Sequence, residues 1–164
     1  MNRVLAALCC VWMVWAAVAW ARPLTLVRDG QPSAVIVLPE EPADAEAEAA
    51  AILQRVLRRM SGEELPIRKG GRTTPERAYV AVGAGSLLPK EIRRKLKIGE
   101  SLIFSDPRRD AYCVEVRDAA AFLVGHRPEG AVYAVYELLE SLGCRWYFAC
   151  EAGEIIPETQ TIEA

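Results

Sequence analysis

The residues best equipped for chemistry fall in one stretch, from Gly125 to Phe148. Arg145-Trp146-Tyr147 is the strongest binding candidate: an indole stacks on a sugar ring while a guanidinium donates planar hydrogen bonds to a carboxylate or to hydroxyls. A plainer reading stays open beside it, with Trp146 as a core or interface side chain and Arg145 as its ion-paired neighbour. His126 and Arg127, in the polar loop ahead of a helix, complete the candidate surface. His126 is the only histidine, so no histidine pair can hold zinc, and the cysteine spacings supply no CxxC knuckle. No Gly-x-Ser-x-Gly elbow presents a nucleophile either. The sequence therefore assigns no catalytic residue, no metal ligand and no cofactor.

Two glycine patterns invite a nucleotide and then fail on chemistry. Gly125 to Gly130 has the spacing of a phosphate loop, but Ala131-Val132 stand where Lys and Ser/Thr must meet phosphate and magnesium. Those glycines instead let a helix begin close against a sheet. Gly83-Ala84-Gly85 follows a strand, yet Leu88 occupies the place of the third dinucleotide-binding glycine, so a plain turn is expected. Paired carboxylates are the machinery of glycoside hydrolysis, and Asp118, Glu129, Glu137 and Glu140 are available. Glu137 and Glu140 lie on a helix flank, and in a chain that is 26% charged surface acids are the default.

The elements that must position these groups follow from periodicity. Leu24 to Val27 and Ala34 to Leu38, around the turn signal Asp29-Gly30-Gln31-Pro32, predict a hairpin or two neighbouring strands. The second run is apolar on both faces and belongs centrally in a sheet. A helix from about Asp44 to Met60 carries the stripe Ala45, Ala49, Ile52, Leu53, Val56, Leu57 and Met60. Its acids lie near the start and its arginines near the end, complementing the helix dipole, and Ser61-Gly62 stops it. Leu65 to Arg68 reads as an edge strand, Tyr79 to Val82 as a strand, Pro89 to Leu96 as a short basic helix, and 99–110 as irregular. Tyr112 to Arg117 and Ala121 to Gly125 form a second hairpin. Apolar positions 132, 135, 136, 139 and 142 predict a helix stopped by Gly143, ahead of a short strand with Arg145 and Trp146. The end, after Ile155-Ile156-Pro157, reads as a polar tail. Hairpins mixed with crossover helices predict an α+β fold, a two-layer α/β sandwich whose mixed, largely antiparallel sheet carries two long helices on one face.

Residues 1–21 have the layout of a secretory signal peptide: Arg3, an apolar run from Val4 to Val18, and Ala19-Trp20-Ala21 as the cleavage site. The run is too short for a stable membrane span, so an exported protein, periplasmic or extracellular, is expected. Residues 22–164 then form a single domain. The whole chain carries a formal charge of −2, with mixed signs and no polybasic patch, which excludes a nucleic-acid footprint. Of the five cysteines, Cys9 and Cys10 leave with the signal peptide. Cys144 and Cys150 can pair if the chain turns back after Phe148, while Cys113 is expected mid-strand and buried.

Several segments together carry a resemblance: Met60-Ser61-Gly62 with Leu65-Pro66-Ile67, then Tyr79-Val80-Ala81-Val82-Gly83, then Gly130 to Glu140 followed by Leu142-Gly143-Cys144-Arg145-Trp146-Tyr147. From about Leu24 to Pro157 the chain resembles the N-terminal accessory domain of bacterial α-glucuronidases, itself similar to the N-terminal domain of glycoside hydrolase family 20 β-N-acetylhexosaminidases. The resemblance implies a non-catalytic α/β accessory domain associated with a (β/α)8 barrel that holds the catalytic acids. The alternative is an exported carbohydrate-binding module using Arg145 and Trp146. Its partners would be a barrel domain or protein, or an oligosaccharide. Phe148-Ala149-Cys150 departs from that family, where a proline or glycine is expected.

Overall fold

A computed structural model of the protein describes residues 23–70, 77–83, 90–91, 111–117, 119–148 and 150–164. The proposed signal peptide, residues 71–76, and most of 84–110, including the expected irregular segment and all of the expected basic helix but Lys90 and Glu91, lie outside these. Asp29 (φ 50°) and Gly30 (φ 68°) are both left-handed, the requirement of a two-residue type I′ turn. They join β1 (Thr25–Arg28) to β2 (Gln31–Pro32), with Arg28 facing Gln31. The hairpin partner of β1 is thus only two residues long, and the apolar run after Ser33, β3 (Ala34–Leu38), opens a different sheet.

That sheet also contains β4 (Ile67–Lys69), β5 (Ala78–Val82), β6 (Tyr112–Arg117) and β7 (Ala120–Gly125), in the order β4-β3-β5-β7-β6. β3 pairs in parallel with β4 and β5, β5 in parallel with β7, and β7 antiparallel with β6. The fold is α+β with mixed sheets, as the sequence predicted. Four of the seven strand pairings among the described residues are antiparallel, and the three parallel ones run side by side from the β4 edge of the five-stranded sheet through β3 and β5 to β7. Parallel strands are covered on both faces, and this explains why β3, β5 and β7 are apolar at nearly every position.

Side-chain alternation divides the strands between two clusters. Ile36, Leu38, Val80, Val82, Ala121 and Leu123 face the main core with both helices, so α1 (Asp44–Ser61) and α2 (Gly130–Ser141) share one face of the sheet. Ala81, Phe122 and Val124 lie buried on the other, where Tyr79 meets Phe122 edge to face. Leu53 and Leu57 of α1 are fully buried, each contributing roughly 1.5–3 kcal/mol of transfer free energy.

Both helices end as expected. Gly62 (φ 82°) donates its N–H to the Arg58 carbonyl at 2.7 Å. At the start of α1, Ala43 has no side-chain oxygen to cap with, and Glu46 reaches back to accept the Ala43 N–H at 2.9 Å. α2 is rotated from the expected face: Ala131, Ala134, Val135, Leu138 and Leu139 are buried, whereas Val132, Tyr136 and Leu142 are only partly so. Alanines set this face because small side chains let α2 lie close to the sheet and to α1. Its first turn approaches even more tightly, since a Cβ on Gly125 would sit 2.6 Å from the Gly130 Cα.

The chain end is a strand rather than a loose tail. β8 (Arg145–Trp146) pairs antiparallel with β9 (Glu154–Ile155), and β10 (Ile162–Glu163) pairs with β1. Leu24 and Ala164 exchange backbone hydrogen bonds of 2.8 and 2.9 Å. No helix among the described residues is long and apolar enough to cross a membrane.

Candidate functional site

The β8–β9 ribbon is aimed by the way α2 stops. Gly143 (φ 97°) turns the chain; its N–H reaches the Glu140 carbonyl and the Cys144 N–H reaches Leu139, both at 3.0 Å. These two bonds form a Schellman closure. Buried Cys144 follows, its thiol 3.8 Å from the Met60 sulfur. The next residues must then leave the core.

Three consecutive aromatic side chains cannot all point inward from an extended segment, because successive side chains alternate. Trp146 takes the inner place, half-buried and edge-on to Tyr136 with ring centroids 4.8 Å apart. Tyr147 and Phe148 are left 65% and 71% exposed. A tight return holds them there: a 3-10 turn at Glu151–Gly153 brings the Gly153 carbonyl within 2.8 Å of the Tyr147 N–H. Gly153 is needed at this spot, since a Cβ would sit 2.5 Å from the Phe148 nitrogen.

The result is an open cleft of about 590 Å³, walled by Tyr136, Trp146, Tyr147 and Phe148 and rimmed by Cys150, Glu151 and Glu154. Its size suits a small ligand or a short polymer segment. Ile155, 52% exposed, lies on the same ribbon. Glu154 is ion-paired with Arg59 of α1, which ties the ribbon to the helical layer.

The five sequence-predicted residues fall into two groups. Arg145, Trp146 and Tyr147 sit together on the ribbon, but Arg145 turns back, its Nη1 donating to the carbonyls of Glu140 and Cys144 at 2.6 Å each. Its guanidinium completes the cap of α2 and does not line the cleft. His126 and Arg127 are exposed at the other end of α2, where the His126 N–H donates to the Ala111 carbonyl at 2.8 Å and Arg127 lies 3.6 Å from Glu129. The 12 residues of α2 separate the groups by roughly 18 Å at the rise of an α-helix. They do not form one surface.

The carboxylates scatter as well. Glu137 accepts a hydrogen bond from the Tyr112 hydroxyl at 3.1 Å, and Glu129 faces Arg127. Asp118 lies outside the described residues. Glu46, the only buried charged side chain among the described residues, is engaged in its own helix start and packs against Gly83 (φ 114°), the turn residue after β5. Among the described residues no three His, Cys, Asp or Glu side chains are grouped to hold a metal ion. The Cys144–Cys150 pair does not form, since Cys144 faces the core and Cys150 the cleft. Cys113 is half-buried rather than buried.

Tyr136, Phe148 and Glu151 were missed as cleft residues. The run Trp146-Tyr147-Phe148 held the signal, since alternation alone forces aromatic surface outward. No protein-family model matches this chain, and no curated protein matches it.

Proposed function

We propose that the protein is a non-catalytic accessory domain of an exported carbohydrate-active system, and that it engages glycan through the β8–β9 cleft. The observation that carries this is the aromatic wall: Tyr147 and Phe148 are held largely exposed beside Trp146 by a hydrogen-bonded return. Aromatic faces stack on the C–H faces of sugars, and a contiguous exposed apolar patch marks an interaction site. The resemblance to the α-glucuronidase accessory domain agrees in fold class with the α+β architecture and supplies the carbohydrate setting. Residues 1–21 direct export and are removed, leaving 22–164 as the working domain.

Calorimetric titration of the purified protein with a panel of oligosaccharides should show binding that is removed by Tyr147→Ala combined with Phe148→Ala. Aryl glycosides and aryl glucuronides should not be turned over. Turnover lost on substituting Glu151 or Glu137 would overturn the non-catalytic reading, and absence of binding to every sugar would overturn the glycan reading. A second reading is favoured by Ile155, whose aliphatic surface suits a protein face better than a sugar: the ribbon docks a (β/α)8 barrel partner. In that case Ile155→Asp would abolish a complex with such a barrel, seen as loss of the larger species in sedimentation, while sugar binding is absent throughout.

A further inference from the structure

We infer that the cleft selects a sugar bearing a free, protonated amine over a uronate. The inference deepens the glycan-binding reading above and rests on it. The ionisable groups on the cleft rim are the carboxylates of Glu151 and Glu154 and the thiol of Cys150, and no Lys or Arg lines it among the described residues. The arginine expected to receive a carboxylate, Arg145, is committed to the carbonyls of Glu140 and Cys144. Alternation along β8 also sends it away from Trp146.

The two carboxylates differ. Glu154 is compensated by Arg59. Glu151, exposed at the start of the 3-10 turn, has no cation against it among the described residues. Its charge is therefore left over on the rim. The aromatic walls act in the same direction, because the face of a Trp, Tyr or Phe ring carries the negative part of its quadrupole and attracts an ammonium. A uronate placed here would meet ring faces and a like charge with no balancing cation. An amino sugar would stack its ring on Tyr147 or Phe148 while its ammonium approaches Glu151.

The test is calorimetric titration of the purified protein with tetramers of glucosamine, glucose and galacturonate, and with a lysine-containing tetrapeptide, at a pH where sugar amines are protonated. The glucosamine tetramer should bind roughly three- to tenfold more tightly than the glucose tetramer at low salt, and this margin should shrink as salt is added. Glu151→Gln should reduce this ratio at least twofold, the remainder being the attraction of the ring faces for the ammonium. Phe148→Ala should weaken both sugars. Glu151 and Phe148 are exposed, so neither substitution opens the core. Galacturonate binding as tightly as glucosamine, or a preference that Glu151→Gln leaves undiminished, overturns the inference and leaves the glycan reading standing. Failure of all three sugars overturns both. Tighter binding of the tetrapeptide than of the glucosamine tetramer assigns the cleft to a cationic protein segment and overturns the inference.

Discussion

Arg145 seals the end of α2 by donating from Nη1 to the Glu140 carbonyl at 2.6 Å, with the Cys144 carbonyl sharing the same nitrogen. The side chain that looked most like a ligand donor is thus a helix cap. Arg145→Ala is expected to lower stability by about 1.5 kcal/mol, the low end of the range for hydrogen bonds to a charged group because the side chain is exposed, while neutral-sugar binding at the cleft stays unchanged. Arg145→Lys should recover part of the loss, because an ammonium also donates to carbonyls at a helix C-terminus. Thermal unfolding of the three proteins, with titration of each by one neutral oligosaccharide, checks both halves.

How much of this was legible depended on how local the cause was. Gly62 and Gly143 announced their helix ends because a left-handed residue after a last turn is a local requirement. The same holds for the Asp29-Gly30 turn. The short strand of Arg145 and Trp146 was legible for the same reason, since the stop at Gly143 sets where it begins. The direction of Arg145 was not legible, because it depends on two carbonyls exposed only once α2 has formed. His126 and Arg127 were grouped with Arg145 through closeness in sequence, and a helix between them turns that closeness into separation. The face of α2 was misjudged by weighting Val132 and Tyr136 above Ala131 and Ala134, since the fit of small residues depends on what they pack against. Parallel pairing at the centre likewise depends on crossovers between distant segments.

The close approach of Gly125 to Gly130 gives a second prediction. A Cβ at Gly125 would lie 2.2 Å from the Arg127 carbonyl oxygen and 2.6 Å from the Gly130 Cα. Backbone atoms cannot move aside as a flexible side chain can, so Gly125→Ala must displace the first turn of α2. A loss of about 2–3 kcal/mol is expected, in the upper part of the range for overpacking. Gly143→Ala has space around it and suffers only from its left-handed backbone, so about 1 kcal/mol is expected there. Denaturant midpoints of the two variants should fall in that order.

Tyr112 titrates in a way that the surface of α2 explains. Its hydroxyl donates to Glu137, and this hydrogen bond, then desolvation and the negative charges of Glu137 and Glu140, push its pKa above the usual value. The folded protein therefore keeps the phenolic proton at a pH where the unfolded chain has lost it. The associated stabilisation is complete below the unfolded value of about 10 and is lost as pH rises through the folded pKa. Glu137→Gln should lower the Tyr112 pKa in a spectrophotometric tyrosine titration and weaken the decline of stability at alkaline pH. An unchanged titration would mean that the Tyr112–Glu137 bond does not form in solution.

The thiols should react in the order their surroundings dictate. Burial pushes the Cys144 thiol pKa up, against smaller opposing effects from Arg145 and Arg59, and its sulfur rests against Met60. Cys150 is exposed on the cleft rim. An alkylating reagent needs both access and thiolate, so native protein should label at Cys150 and leave Cys144 unmodified until denaturant is added. Peptide mass spectrometry reads this directly. Protection of both thiols under native, non-reducing conditions, with a linked Cys144–Cys150 peptide, would show that the ribbon rearranges to pair them.

The last strand carries more of the fold than its short, polar sequence suggests. Ile162 is 2% exposed and packs into the main core, while its neighbours hold β10 against β1. The reciprocal bonds between Leu24 and Ala164 close the same pairing, so the chain end ties down the first strand of the domain. Ile162→Ala removes a buried branched side chain, for which losses of about 2–5 kcal/mol are usual. A value near the lower end is expected, because β10 lies at the margin of its sheet and can adjust. Thr161→Ala, beside it but exposed, should cost far less, its hydroxyl accepting only the Asp29 N–H at 3.2 Å. Hydrogen exchange distinguishes a local effect from a global one: if Ile162→Ala merely frays the end, only the amides of β1 and β10 lose protection. If β10 is part of the cooperative unit, the amides of β3, β5 and β7 exchange faster as well, and that is the outcome the burial of Ile162 predicts.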